Sequence, residues 1–348
     1  MNGISFPGLG IDEFWIDPVA FTVFGKDVMW YGILITLGII CAYLTARVRA
    51  RYEHIDEDTF FDIAMVTVLM GIVGARLYYV VFYGGFIEHG GTFWQNLWGS
   101  IKNIVAIWNG GLAIYGAVIA GALTILVFGL VRHVNIPKFM DAVAPSVILA
   151  QAIGRWGNFM NGEAHGGETD VFCRMGLRYS ENAVIHYYHP TFLYESLWNL
   201  LGFILLYSFY KKKKFNGEIV LGYFTWYGLG RVFIEGLRTD SLYLGNTGIR
   251  VSQLIAGVCF VVGLVLIAVG RRVADRIPAL RLDAPSGCEE RFAAEESRRS
   301  AKKSADSDAQ KGGKAAPSPE KDGGEDSKDV QNQNDKNKKE DEHDTDRR

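Results

Sequence analysis

The sequence predicts an all-α, polytopic membrane protein of about seven transmembrane helices, with its N-terminus outside and its C-terminus cytoplasmic. Three observations carry that reading. Apolar runs of bilayer-crossing length recur between residues 28 and 269, and a helix needs roughly 20 apolar residues to cross the hydrocarbon core. Basic clusters follow every second run. Hydrophobic residues make up 49% of the chain although one end is very polar, so the average conceals two unlike parts.

The first part is an external N-terminal segment, residues 1–27. Its opening 18 residues contain acidic side chains and no Lys or Arg, which is not how a signal peptide begins, so the first span is expected to be retained. The candidate spans are residues 28–46, 63–83, 112–131, 142–160, 191–210, 219–236 and 251–269, within a membrane domain covering 28–272. Arg47, Arg49 and Arg51 follow the first, Arg132 and Lys138 the third, residues 211–214 the fifth, and Arg271 and Arg272 the seventh. Basic residues collect on the cytoplasmic side, so an odd number of spans and an outside N-terminus follow. Two external loops are large, 84–111 and 161–190, and long connections usually carry function or small folded pieces. Trp94, Trp98 and Trp108 in the first of them suit a segment lying at headgroup depth.

Residues 273–348 form a charged cytoplasmic tail. Beyond Leu282 its only large apolar residues are Phe292 and Val330, too little burial to offset ordering, so most of the tail is expected to be disordered. Cys41, Cys173, Cys259 and Cys288 show no paired spacing. No disulfide framework, metal site or cofactor is indicated.

Several spans contain side chains that are costly in hydrocarbon: Arg76, Gln151, Arg155, Asn158, Glu195, Arg231 and Glu235. Such residues are functional candidates by default. At about 1.5 Å rise per residue, Arg155, Glu195 and Arg231 each sit roughly 7 Å below the external surface. Arg76 is slightly deeper, and Tyr31 and Tyr115 fall near the outer ends of their spans. Snorkelling to the headgroups, or a pair tying two helices together, would explain any one of them; their convergence at one depth weakens that explanation. Arg155 and Asn158 share a helix face, as do Arg231, Glu235 and Arg238. Two cationic stripes facing one cavity suit a phosphate, which guanidinium groups bind bidentately. Gly71, Gly74, Gly116 and Gly121 suit close helix packing.

The run Gly154-Arg155-Trp156-Gly157-Asn158-Phe159-Met160-Asn161-Gly162-Glu163 closely resembles the signature of the prolipoprotein diacylglyceryl transferases. It is accompanied, in the family's order, by Trp30-Tyr31-Gly32, Gly74-Ala75-Arg76-Leu77-Tyr78-Tyr79-Val80 and Trp108-Asn109-Gly110-Gly111-Leu112. His189-Pro190-Thr191-Phe192-Leu193-Tyr194-Glu195 and Tyr227-Gly228-Leu229-Gly230-Arg231-Val232-Phe233-Ile234-Glu235 complete the set. The resemblance runs from about Trp30 to Gly270 and leaves out the tail.

It implies seven membrane helices in a bacterial plasma membrane and transfer of the diacylglyceryl group of phosphatidylglycerol to a lipobox cysteine thiol. The product is a thioether, glycerol 1-phosphate leaves, and lipoprotein maturation begins. The implied partners are phosphatidylglycerol, the signal peptides of preprolipoproteins and the bilayer, with no nucleic acid. By resemblance Arg155 is the lipid-binding arginine and Arg231 the second essential one, while Asn158, Glu163, Gly166, Tyr31, Glu235 and Arg238 match functional positions. Arg76 and His189 join the expected substrate-binding set.

The thiol must be deprotonated to attack. Many relatives carry a histidine where this chain reads Gly110-Gly111-Leu112-Ala113-Ile114-Tyr115, so Tyr115 stands in the place of a base. A phenol is a poor base near neutral pH unless its neighbours help. His189 and Glu163 are alternatives, as is ionisation beside the arginines with no dedicated base; His189 also suits a plain interaction at the start of the fifth helix. A transporter would instead show midplane polar groups, broken helices and an inverted repeat. Metal-based headgroup chemistry would show clustered carboxylates, of which the spans carry few.

Overall fold

The computed structural model describes residues 1–83, 92–106, 110–239, 243, 247–248, 250–287 and 297. Trp108, Phe292, Val330, Cys288 and nearly all of the tail beyond Gly287 lie outside the described residues. The chain is mostly helical, and it is a multi-pass membrane protein.

Helices α1 (Trp30–Tyr52), α2 (Glu57–Tyr83), α4 (Ile114–Val131), α5 (Ile136–Asn161), α6 (Thr191–Phe209) and α8 (Val251–Val273) are long and apolar enough to cross a bilayer. Helix α7 (Glu218–Leu237) has 20 residues, about 30 Å at the α-helical rise, but its Glu218, Arg231 and Glu235 lower its hydropathy. It can carry them because it packs against α5, α6 and α8 rather than facing lipid all round. The short α3 (Phe93–Val105) begins with a capping box between Thr92 and Gln95, and its Trp94 and Trp98 are strongly exposed.

Helix α5 is the centre of the bundle. Half of its apolar window is buried, against 11–28% in the other five candidate spans, and it packs on α1, α6 and α7. Helices α2 and α4 pair with each other through Gly74 and Gly116: a Cβ on Gly74 would lie 2.6 Å from the Gly116 carbonyl oxygen. Only bare backbones can approach so closely.

Strands occupy the segments that the sequence left without structure. β1 (Asn2–Phe6), β2 (Ile11–Ile16), β5 (Met175–Arg178) and β6 (His186–Tyr188) form an antiparallel sheet in the order β2-β1-β5-β6. Ile4 pairs with Phe14 on one side and Leu177 on the other. The inner face of the sheet buries Ile4, Phe6, Met175 and Leu177 against Phe159 of α5 and Phe192 of α6, seating it on the ends of those helices. A hairpin of β3 (Val19–Val23) and β4 (Lys26–Met29) leads directly into α1.

At the opposite end the helices are joined by short turns. Buried Asp141 of α5 accepts hydrogen bonds from the N–H groups of Gly217, Ile219 and Val220 at 2.8–3.0 Å, supplying the N-terminal cap that α7 lacks locally. Lys213, itself buried, pairs with Asp141 and with Glu53 at 2.9 and 2.8 Å. Past α8 the chain turns back as a clasp. Asn216 N–H donates to the Leu280 carbonyl, Asn135 N–H to that of Ser286, and the Ser286 hydroxyl to that of His54. The clasp therefore touches the α1–α2, α4–α5 and α6–α7 turns, and Ala284 and Ser286 are buried in doing so.

Candidate active site

Glu195 is the fifth residue of α6, while Arg155 and Arg231 each lie six residues before the ends of α5 and α7. All three are therefore about 6–9 Å in from the strand-bearing end. They meet there. Glu195 Oε1 accepts from Arg155 Nη2 at 2.6 Å and Glu195 Oε2 from Arg231 Nη1 at 3.0 Å. Arg231 Nη2 also lies 2.6 Å from Glu235 Oε2, one turn along α7. The Glu195 and Glu235 side chains are 4% and 2% exposed and the Arg155 and Arg231 side chains 21% and 15%, so the carboxylates are fully enclosed and the arginines largely so.

The network continues toward the sheet. Arg155 Nη1 donates to Asn158 Oδ1 at 3.0 Å, and Asn158 Nδ2 donates to Glu163 Oε1 at 3.0 Å. Asn161 donates to the same Glu163 oxygen at 3.2 Å. Tyr31 of α1 is packed on Gly157, where a Cβ would stand 2.7 Å from the Tyr31 ring. Arg155, Asn158, Glu163, Arg231 and Glu235 are thus one connected constellation, with Tyr31 against the same stretch of α5.

Other expected residues occupy different surroundings. Arg76 is buried and donates to the backbone carbonyls of Asn103, Ile104, Gly110 and Gly111 at 2.7–2.9 Å, binding the end of α3 to the start of α4. Tyr115 is exposed in the first turn of α4, its ring 6.3 Å from that of Tyr78. His189 Nδ1 lies 3.4 Å from the Tyr194 hydroxyl, which is 3.2 Å from Cys173 Sγ. Gly166 forms a bridge with Arg238, just past the end of α7. A Cβ on Gly166 would meet His189 Cβ at 2.7 Å and the Leu237 carbonyl oxygen at 2.9 Å, so glycine is required by the contact between the loop and α7.

Two participants had no assigned part in the expected site. Glu195 was visible as a costly carboxylate at the right depth, but that it lies between two arginines depends on how α5, α6 and α7 pack. Arg250, at the start of α8, donates to the Glu235 carbonyl; an arginine at a helix end carries no signal of its own in sequence.

The fold and site define a polytopic membrane protein whose bundle encloses a charge-paired arginine centre near its strand-bearing end. Residues 18–269 match the family profile described as prolipoprotein diacylglyceryl transferase. A phosphatidylglycerol–prolipoprotein diacylglyceryl transferase of Listeria welshimeri is 40% identical over 80% of this chain and 95% of its own length. Enzymes with the same name from Streptococcus suis and Finegoldia magna are 42% and 44% identical, over 74% and 72% of this chain and 93% and 94% of theirs. The chain belongs to the prolipoprotein diacylglyceryl transferase family.

Proposed function

We propose that this chain transfers the diacylglyceryl group of phosphatidylglycerol to the lipobox cysteine of preprolipoproteins in a bacterial plasma membrane. A thioether forms and glycerol 1-phosphate departs. The observation that carries this reading is the pair of arginines from α5 and α7 held by one carboxylate just inside the strand-bearing end, which we take as the outer face. That orientation is supported by Arg47, Arg51, Arg132 and residues 211–214, all placed at the opposite, turn-bearing end.

Transfer breaks the bond between a glyceryl carbon and a phosphate oxygen, so a second negative charge develops on the departing phosphate. Arg155 and Arg231 hold that phosphate. A guanidinium has five N–H donors, and the hydrogen bonds of Arg155 to Asn158 and Glu195 use two of them. Preorganised cations in a water-poor site stabilise developing charge far better than water does. Glu195 and Glu235 fix the arginines before substrate arrives, so little reorganisation is needed during the reaction. Asn158 and Glu163 form the polar rim for the headgroup, and Tyr31 covers it from α1. Gly166, Arg238 and His189 shape the external wall, and Arg76 secures the segment leading to Tyr115.

The test is to incubate membranes containing the chain with phosphatidylglycerol and a lipobox peptide and to follow the peptide mass. The expected gain is one diacylglyceryl group on the thiol. Arg155→Ala in a fully inserted protein should abolish it; undiminished product formation by that variant would overturn the phosphate role.

A further inference from the structure

We infer that His165 is the base that takes the proton from the attacking lipobox thiol, an inference that rests on the transferase reading above. The tautomer is set by geometry. His165 Nδ1 lies 3.0 Å from the Gly166 carbonyl oxygen, and a carbonyl can only accept, so Nδ1 carries the hydrogen and Nε2 of the neutral ring presents its lone pair. Among the described residues Nε2 has no hydrogen-bond partner. The ring is stacked on Tyr188 of β6 with centroids 4.1 Å apart, which fixes its plane. A ring oriented through Nδ1–H with Nε2 open is arranged as a general base.

The backbone is held to this arrangement. Ala164, between Glu163 and His165, has φ +57°, a left-handed conformation that alanine adopts only under constraint. The constraint comes from both sides. The fully buried Thr191 hydroxyl donates to the Ala164 carbonyl at 2.6 Å, and Gly166 and Gly167 are bound to His189 and Leu237 by backbone hydrogen bonds of 2.9 Å. The strained turn thereby connects Glu163, the last member of the Arg155–Asn158–Glu163 chain, to the imidazole two residues later.

The titratable and charged groups packed about this loop are Tyr188, Glu163, His189, which lies against Gly166, and Arg238, which bridges Gly166. Tyr188 stacks on the ring, Glu163 precedes it, and His186 and Glu168 pair with each other at 2.9 Å beyond Tyr188. Tyr179 donates to the Gly162 carbonyl at 3.1 Å, and burial, with Tyr188 and Glu163 nearby, raises its pKa, so it stays a donor and does not compete for the proton.

In the proposed step the thiol S–H bond breaks and its proton goes to Nε2. The sulfur electron pair forms the bond to the glyceryl carbon while the carbon–oxygen bond to phosphate breaks. The glycerol phosphate leaves as a dianion and recovers the proton from the imidazolium, returning His165 to neutrality.

The test compares wild type with His165→Asn, whose amide can still donate to the Gly166 carbonyl, on two lipobox peptides. One carries cysteine; the other carries selenocysteine, whose selenol is already ionised at neutral pH. The expected result is a loss of about 10²–10⁴-fold in turnover of the cysteine peptide, recovered as pH approaches the thiol range near ~8.5, with selenocysteine turnover within about fivefold of wild type. Unchanged cysteine turnover in His165→Asn, or an equal loss on both peptides, would overturn the assignment. Absence of product from inserted wild-type protein with either peptide would overturn the transferase reading itself.

Discussion

The Glu195 carboxylate accepts hydrogen bonds from Arg155 at 2.6 Å and from Arg231 at 3.0 Å, so one side chain on α6 aligns cations carried by its two neighbours in the bundle. Replacing it by alanine leaves two arginines buried beside a single remaining carboxylate, and breaking a buried pair from one side costs about 3–5 kcal/mol. Glu195→Ala should therefore unfold at a markedly lower temperature in detergent. Glu195→Gln keeps the shape and one acceptor; it should stay folded and lose at least about tenfold in transfer rate, measured on the lipobox peptide.

Lysine at position 155 or 231 would keep the charge and lose the planar fork. Arg155 holds Asn158 and Glu195 through different nitrogens, and Arg231 holds Glu195 and Glu235 in the same way. A lysine ammonium cannot reproduce that geometry and bind phosphate as well. Arg155→Lys and Arg231→Lys should each lower kcat about 10²–10³-fold, the loss usual for one preorganised donor, with insertion into membranes intact.

Arg76 should behave differently. Its hydrogen bonds to four backbone carbonyls satisfy the end of α3 and the Gly110-Gly111 turn. Each buried acceptor left unpaired costs about 1–3 kcal/mol. Arg76→Leu is expected to lower thermal stability and speed proteolysis between α2 and α4, both readable by limited digestion. A variant with wild-type digestion kinetics and no activity would place Arg76 at the substrate instead.

Gly166→Ala inserts a methyl group against His189 Cβ and the Leu237 carbonyl oxygen, at 2.7 and 2.9 Å. Overpacking of this kind costs about 1–3 kcal/mol, and here the displaced partners are the loop bearing His165 and the end of α7. Transfer activity should fall at least about tenfold, whereas serine should be no better tolerated than alanine.

What could be read from sequence follows from how each feature is encoded. The helices are written as predominantly apolar runs, so their positions emerged within a few residues, although α1, α2 and α5 run about six residues further into polar sequence than hydropathy alone suggests. The meeting of Arg155 with Asn158 was legible because both lie on one helix at i, i+3. Arg155 with Arg231 was legible only as a shared depth; the carboxylate joining them belongs to a third helix. The contacts of Arg76 were hidden because its acceptors are backbone carbonyls, which carry no residue identity. The sheet was hidden as well, since its strands have three to six residues and its central pairing, β1 with β5, joins positions more than 150 apart, as Ile4 with Leu177.

The clasp formed by residues 279–286 has a practical consequence for anyone who cuts or extends this chain. Its bonds to His54, Asn135 and Asn216 staple three inter-helix turns from a single strip of backbone. A purification tag or reporter joined beyond Gly287 leaves every staple in place. The same cargo inserted directly after α8 would pull all three loose together, and the loss would surface as poor yield of folded protein, although no catalytic side chain had been touched.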